Sequence, residues 1–483
     1  MVEKHKIVIV GGGVAGLDLA TQLGRRAPDA FSVTLIDREP SHVWKPMLHT
    51  IAAGTQDAEM QGTSYMVHAA TKGFVFHPGE VIAIDRSPRH VRLAPLILHG
   101  EETLPARTVQ YDSLILAAGS KANDFGTPGV KEHCLTIDSR ADAIAFNDRL
   151  RARLLKALSE RRVLSVAIVG GGATGVELAA ELIQIADVVE HFGATGARKQ
   201  MHVTLIEAGN RILAPFPERI SHEAQRSLEA LGIVVRTSAK VSSAEPGGLV
   251  LGSGEQVAAE LKVWAAGVQA PEFCEKIEGL KRTMNHQLSV GPTLVTDDPH
   301  IFAIGDCASF TQAGDDRPLP TTAQVAFQQS VYLSKYLLPM IKQRPVPGFR
   351  YHDFGSLVAL GRYDAYGSLG VGIFKGGFIR GKIAQLGHAL LYRRHQGRIH
   401  GMFRGSLIWL LDVLSRRVRY VGSLQLMFLA RHRLRRVAQI APLGRRRDQE
   451  TCSLVTSRVR LINFQALWKL SSMKGTAWPK LLI

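Results

Sequence analysis

Two glycine-rich hexapeptides govern what this chain can fold into: Gly11-Gly12-Gly13-Val14-Ala15-Gly16 and Gly170-Gly171-Gly172-Ala173-Thr174-Gly175. Each leaves a short apolar run, Ile7-Val8-Ile9-Val10 or Val166-Ala167-Ile168-Val169, and each enters a helical pattern, Leu17-Asp18-Leu19-Ala20 or Val176-Glu177-Leu178-Ala179. A single G-x-G-x-x-G is a weak signal, because many turns are rich in glycine. Two, both between strand and helix, point to two dinucleotide-binding βαβ units. In each, the first glycine (Gly11, Gly170) permits a tight turn, and the second (Gly13, Gly172) lets backbone approach a pyrophosphate. The third (Gly16, Gly175) lets the helix pack closely on the sheet. The helix N-terminus then offers free N–H groups and a positive dipole end to phosphate.

Each unit also ends its second strand on an acid. Val33-Thr34-Leu35-Ile36 leads to Asp37, and Val203-Thr204-Leu205-Ile206 leads to Glu207. A carboxylate there can hold a ribose 2′-hydroxyl and repels a 2′-phosphate. Asp37 follows Gly16 at the usual separation of about 20 residues. Glu207 lies further on, and the stretch 187–200 reads as an excursion before its strand. After each unit an apolar strand closes on Ala-Ala-Gly: Ala117-Ala118-Gly119 and Ala265-Ala266-Gly267. Such small ends suit close approach of a cofactor. A third apolar strand, Ile301-Phe302-Ala303-Ile304, runs into Gly305-Asp306. A helix opening near Thr321 then carries Ala323, Gln324 and Gln328, the two glutamines on one face.

Charge is concentrated at one end. The net charge is +17, and 17 Lys and Arg against one acid, Asp412, lie between Gly372 and Arg447. A basic end is the footprint of an anionic surface, membrane or nucleic acid. Leu407, Leu410, Leu411, Leu414 and Val418 recur at helical spacing, with Trp409 and Tyr420 suited to a bilayer interface and arginines suited to lipid headgroups. A pair of core or dimer-interface helices with solvated arginines is the other reading. No nucleic-acid-binding motif interleaves aromatics with these arginines, so no nucleic-acid partner is expected. The first strand begins within a few residues of Met1, which leaves no room for a cleavable signal peptide, and no apolar run reaches membrane-spanning length. The four cysteines form no disulfide framework and no C-x-x-C, and no Cys/His spacing suits a metal.

Together these residues resemble the two-dinucleotide flavoproteins of the glutathione-reductase-like superfamily. The more specific signals are Trp44-Lys45-Pro46, Gly175-Val176-Glu177-Leu178, Ala323-Gln324 with Gln328, and the basic C-terminal region. On these the chain is similar to the type II NADH dehydrogenases, single-subunit NADH:quinone oxidoreductases that pump no protons. The resemblance covers about residues 5–440; the tail from 449 matches nothing in that family. It implies an α/β fold with two Rossmann-like dinucleotide-binding domains, for FAD and NADH, plus a C-terminal amphipathic helical membrane-anchoring region. The expected division is 1–120 and 295–380 for FAD, the latter with the quinone-site helix, 121–294 for NADH, 381–448 for the membrane-associating region, and 449–483 as a tail of unknown structure.

The resemblance further implies that Gly11, Gly13, Gly16 and Asp37 hold non-covalent FAD, with Lys45, Ala118, Gly119, Asp306 and Ala323 around it and Lys375 near the flavin. Gly170, Gly172, Gly175, Glu207 and Gly267 would hold NADH as substrate. Glu177 would lie near nicotinamide and flavin as a candidate proton relay, and Gln324 and Gln328 would line the quinone pocket. Read alone, Asp306 also fits a helix N-cap, Glu177 a first-turn helix acid, the glutamines a solvated face and Lys45 a loop lysine. The implied partners are a membrane quinone, an anionic lipid surface and a second copy in a homodimer, with the enzyme peripheral on the cytoplasmic face of the inner membrane. Disulfide reductases, flavin peroxidases and water-forming oxidases need cysteine in the stretch 39–56, which has none. Sulfide:quinone oxidoreductase and an NADH-dependent reductase with a protein acceptor are the alternatives.

Overall fold

The alternation in the sequence becomes two parallel sheets in the computed structural model, which describes residues 4–411 except 27, 59–61, 192, 370–376, 402 and 408. In chain order, β1 (His5–Val10), α1 (Val14–Arg26) and β2 (Phe31–Asp37) form the first βαβ start. Two helices follow, α2 (Leu48–Ala53) and α3 (Tyr65–Lys72), then β3 (Val75–Pro78) and, after an antiparallel insert, β4 (Ser113–Leu116). The long α4 (Arg140–Glu160) leads to β5 (Leu164–Val169), α5 (Ala173–His191), β6 (Met201–Ile206), β7 (Val234–Arg236) and β8 (Leu261–Trp264). The chain then returns with β9 (Ile301–Ala303) and α6 (Ala323–Ile341). It ends its described part with β10 (Gly355–Leu360), β11 (Asp364–Leu369), β12 (Phe378–Arg380) and α7 (Lys382–His400).

The first sheet has the order β9-β4-β1-β2-β3 and the second β7-β6-β5-β8, with every pairing parallel. In both, the glycine-bearing strand is central. Helices cover both faces, which is why β1 and β5 read as unbroken apolar runs rather than alternating ones: Ile7, Ile9, Ala167 and Ile168 are fully buried. β9 crosses back over nearly the whole second unit to lie beside β4, so the segment starting with Gly305 emerges next to the first glycine loop.

Local chemistry sets the helix boundaries. The stretch 138–161, read as helical, is α4, opened by a capping box in which Ser139 and Asp142 exchange side-chain-to-backbone bonds. Thr322 caps α6 by accepting from the Val325 amide at 3.2 Å. The excursion expected over 187–200 is largely helix: α5 has 19 residues where α1 has 13, and a short helix, Ala197–Gln200, follows.

The strands β10–β12 form an antiparallel sheet. Grouped by sequence with 295–380, this sheet places Val358, Leu360 and Tyr366 in the same apolar core as α4, α5, β5 and β6. It therefore packs on the second unit, while α6 packs in the core of the first. No helix among the described residues is long and apolar enough to cross a membrane. Lys375, most of the region 381–448 beyond Leu411, and the tail 449–483 lie outside the described residues.

Candidate active site

The first glycine loop is built around contacts that admit no side chain. Gly11 has φ +99°, and a Cβ on it would stand 2.3 Å from the Ala117 carbonyl oxygen. A Cβ on Gly16 would stand 1.8 Å from the Gly11 carbonyl oxygen. Gly13, by contrast, faces open space, with nothing within 4 Å of a Cβ. The second loop repeats the arrangement. Gly170 has φ +113°, a Cβ on Gly175 would lie 2.0 Å from the Gly170 oxygen, and Gly172 is open. Each cradle thus exposes backbone at its second glycine, beside a helix N-terminus, as a phosphate-binding loop requires.

The two acids lock these loops. Asp37 Oδ2 accepts from the Gly12 amide at 2.5 Å and Oδ1 from the Glu39 amide at 2.8 Å. Glu207 Oε2 accepts from the Gly171 amide at 2.6 Å and Oε1 from the Gly209 amide at 2.6 Å. Burial raises the Asp37 carboxyl above its ordinary value, and the amides oppose that rise. The Gly12 carbonyl oxygen is held in turn by the Tyr65 hydroxyl at 2.7 Å and by His42 Nδ1 at 2.9 Å.

Next to the first loop, three segments meet. Lys45 Nζ donates to the Ser120 carbonyl oxygen at 2.6 Å, and the Ser120 hydroxyl donates to Asp306 Oδ2 at 2.8 Å. Gly119, next to Ser120 and at φ +69°, has nothing within 4 Å of where a Cβ would stand. The Gly305 amide donates to Gln329 Oε1 at 2.7 Å, and Gln287 Nε2 donates to the Asp306 carbonyl oxygen at 2.9 Å. Ala118 lies two residues past the end of β4, and Ala323 opens α6, whose Ala326 lies 3.5 Å from where a Gly305 Cβ would be. Lys45, Gly119, Ser120 and Asp306 therefore belong to one site.

Glu177 sits in the first turns of α5, buried between α2 and β10. Its Oε1 accepts from the Ala359 amide at 3.0 Å, and His49 Nδ1 lies 3.4 Å from Oε2. Burial, with Glu181 adding repulsion, pushes the Glu177 carboxyl up to about 8, so it carries its proton at neutral pH. Gln324 and Gln328 are side by side on α6, and both grip backbone. Gln324 accepts from the Phe354 amide at 2.8 Å and donates to the Gly355 oxygen at 3.2 Å. Gln328 accepts from the His352 amide at 3.0 Å and donates to the His352 oxygen at 2.8 Å. Gly267 is not open: the Phe125 ring lies 2.4 Å from where its Cβ would be.

Residues 5–330 match the family model described as pyridine nucleotide-disulphide oxidoreductase. The chain is 38% identical over 434 residues to a type II NADH:quinone oxidoreductase of Haemophilus influenzae, covering 85% of this chain and 97% of the relative. A Staphylococcus aureus protein of the same name is 28% identical, with 83% and 97% covered. This chain belongs to the type II NADH:quinone oxidoreductase family. The fold agrees with the structure of NDH2 from Plasmodium falciparum in complex with NADH, at TM-score 0.72 and 19% identity, covering 83% of this chain and 97% of that one. The fold is shared too by the sulfide:quinone oxidoreductase of Aquifex aeolicus, at TM-score 0.66 and 17% identity, covering 84% of this chain and 95% of that one.

Several site residues of this family member escape a motif-based reading. Tyr65 and His42 hold the first loop from outside the motif. Ser120 is the residue after Ala118-Gly119, and His49 lies just beyond Trp44-Lys45-Pro46, so proximity to those motifs was the available signal. Gln329 adjoins Gln328 but points to Gly305 instead.

Two predictions follow from this geometry. Gly16→Ala drives a methyl into the Gly11 carbonyl and destabilises the protein by about 3 kcal/mol, the upper range for overpacking, whereas Gly13→Ala stays within about 0.5 kcal/mol. Denaturant melts of the two variants check this; equal losses would refute the assigned contacts. For Glu177 the folded value lies above the unfolded one, so the folded state binds the extra proton and stability falls as pH rises from about 4.5 toward 8. Glu177→Gln keeps the Ala359 bond and removes that loss. Its melting temperature should match the wild type near pH 5 and exceed it by a few degrees at pH 8.

Proposed function

We propose that this chain oxidises NADH and reduces a membrane quinone by two electrons, with FAD on the 11–16 loop and NADH on the 170–175 loop. The observation that carries this reading is the pair of cradles, each open at its second glycine and each locked by a carboxylate. When bound, a flavin takes a hydride from NADH and passes two electrons on to a quinone; the protein supplies orientation and electrostatics. Gly11, Gly13 and Gly16 would seat its pyrophosphate and Asp37 its ribose. Lys45, Ser120 and Asp306 would fix the part of the dinucleotide nearer the ring.

The chain's own residues account for three features of the reaction. Glu207 keeps lone pairs free beyond its two amide bonds and turns a negative charge toward the ribose, favouring NADH over NADPH. Arg211, a nearby cation, donates to the carbonyl oxygens of Phe216 and Ala214 and to Ser221, so it is engaged within its own loop. Glu177, protonated at neutral pH, holds a proton between α2, α5 and β10 that a quinone oxygen can take up. Gln324 and Gln328, by clamping 352–355, define the wall on which a quinone would lie beside the flavin.

A lipid-facing side fits this substrate. Phe403, Leu407, Trp409, Leu410 and Leu411 are exposed, Phe403 at 84%, and so are Met66 and Val67 on α3. His400, just before Phe403, contacts Thr63 and His68, which flank Met66 and Val67 in sequence. With the arginines of the basic end, this surface would attach the enzyme to anionic lipid. Thiol chemistry, the requirement of the sulfide-oxidising alternative, finds poor material here. Cys307 is buried with its thiol pushed up to about 12, and burial lifts Cys274 well above its ordinary value.

Anaerobic mixing with NADH should bleach the flavin, and a short-chain quinone should restore its colour. Bleaching without recovery would overturn the quinone assignment. Glu207→Gln should lower discrimination against NADPH by at least about tenfold, since like charges in contact cost upwards of 1.4 kcal/mol. Unchanged discrimination would count against Glu207 as the ribose acid. Gln324→Ala frees the Phe354–Gly355 backbone and should slow reoxidation by quinone about tenfold or more, as a misplaced wall does, while leaving reduction by NADH near its original rate. Stopped-flow measurement of both half-reactions decides the point.

A further inference from the structure

Helix α7 reaches the first glycine loop and its helix by two separate routes. One is ionic. Asp18, one turn into α1 and two residues past the loop, is completely buried. Arg398 meets it bidentately, Nε on Oδ1 at 2.8 Å and Nη2 on Oδ2 at 2.9 Å. Ser330 of α6 also donates to Oδ2, and the Arg398 guanidinium lies 5.2 Å above the Phe327 ring. Gln22, one turn beyond Asp18, donates to the Arg398 carbonyl oxygen at 3.5 Å.

The other route runs through two imidazoles whose tautomers the bonding fixes. A carbonyl oxygen can only accept, so His42 Nδ1 carries the proton it donates to Gly12. In neutral His42, Nε2 is then a lone pair. His395 Nε2, 3.1 Å away, must be the donor. That leaves His395 Nδ1 as a bare lone pair, and it is buried with no hydrogen-bond partner among the described residues. The assignment is self-consistent, because an orphaned lone pair costs less than an orphaned N–H. The Trp44 ring, tilted by 39°, packs on His395 at 4.6 Å between ring centres, next to Lys45 of the site.

A buried ion pair adds little stability over well-packed apolar residues, but it demands one geometry. Bidentate contact fixes Arg398 relative to α1, and the His395–His42 bond fixes the Gly12 carbonyl. The first constraint acts on the helix that this loop opens and the second on the Gly12 carbonyl within it, beside the open position at Gly13. We propose that Arg398 and His395 are positioning residues for the flavin dinucleotide: α7, seated on Asp18 and His42, holds the 11–16 loop in its binding geometry. Seating of this helix and retention of the cofactor are then one coupled equilibrium, and each strengthens the other. This rests on the assignment of flavin to the first loop.

The test is the rate of flavin release from the purified holoenzyme, followed by the fluorescence of free flavin at constant temperature, with far-UV melts run in parallel. Arg398→Gln should release flavin at least tenfold faster than wild type, and Arg398→Lys, which keeps the charge but not the fork, should fall between. His395→Phe retains the Asp18–Arg398 pair and should accelerate release severalfold, and it carries the test if Arg398→Gln does not fold. Added FAD should restore turnover in the variants with KM for NADH unchanged. Release within twofold of wild type in the folded variants, or lost turnover that FAD does not restore, overturns the proposal. A wild-type protein that takes up no flavin overturns the first-loop assignment itself.

Discussion

The packing of a helix directly onto the loop that launches it is the constraint from which the site follows. At Gly16 and Gly175 there is no space for even a methyl group between helix and loop carbonyl. This closeness brings the first turn of α1 and of α5 over the end of the central strand, where their unpaired amides converge. The same closeness acts on the neighbouring strand. The carbonyls of Ala117 and Ala265 press on Gly11 and Gly170, and the Ala117 Cβ lies 3.3 Å from where a Gly16 Cβ would be. The small side chain of Ala117, just past β4, is therefore matched to the first glycine loop.

Buried and half-buried acids in this structure have different partners. Asp18 has a guanidinium and a hydroxyl; Asp37 and Glu207 each have two amides. Glu177 has one amide and an imidazole, and desolvation dominates, so it keeps its proton. Glu181, one turn on, is raised by burial as well and leaves Oε2 without a hydrogen-bond partner among the described residues. The proton that burial holds on Glu177 thus sits between α2, α5 and β10.

The glycine loops, their strands and the two acids were legible in the sequence because backbone geometry and local spacing determine them. Contacts that depend on chain crossing were not. Asp18 reads as one polar residue in an apolar helix until Arg398, 380 positions away, closes on it. The glutamines 324 and 328 were legible as a shared face, but their grip on 352–355 depends on how the chain returns after α6. Gly267 illustrates the opposite case. Its place in the repeated Ala-Ala-Gly suggested open backbone, and the ring of Phe125, on the linker between the two units, covers it.

Helix α6 gathers these strands of the architecture. Gln328, Gln329 and Ser330 are consecutive, so their side chains leave the axis about 100° apart. Gln328 holds the 352–355 segment, Gln329 holds the Gly305 amide, and Ser330 holds Asp18 on α1. Three neighbouring residues therefore set the proposed quinone wall, the Gly305–Asp306 turn and the helix behind the first loop. A rotation of α6 would disturb all three at once, because none has slack: each bond ends on backbone or on a buried carboxylate. The proposed placement of quinone against flavin would in this sense be set by one helix.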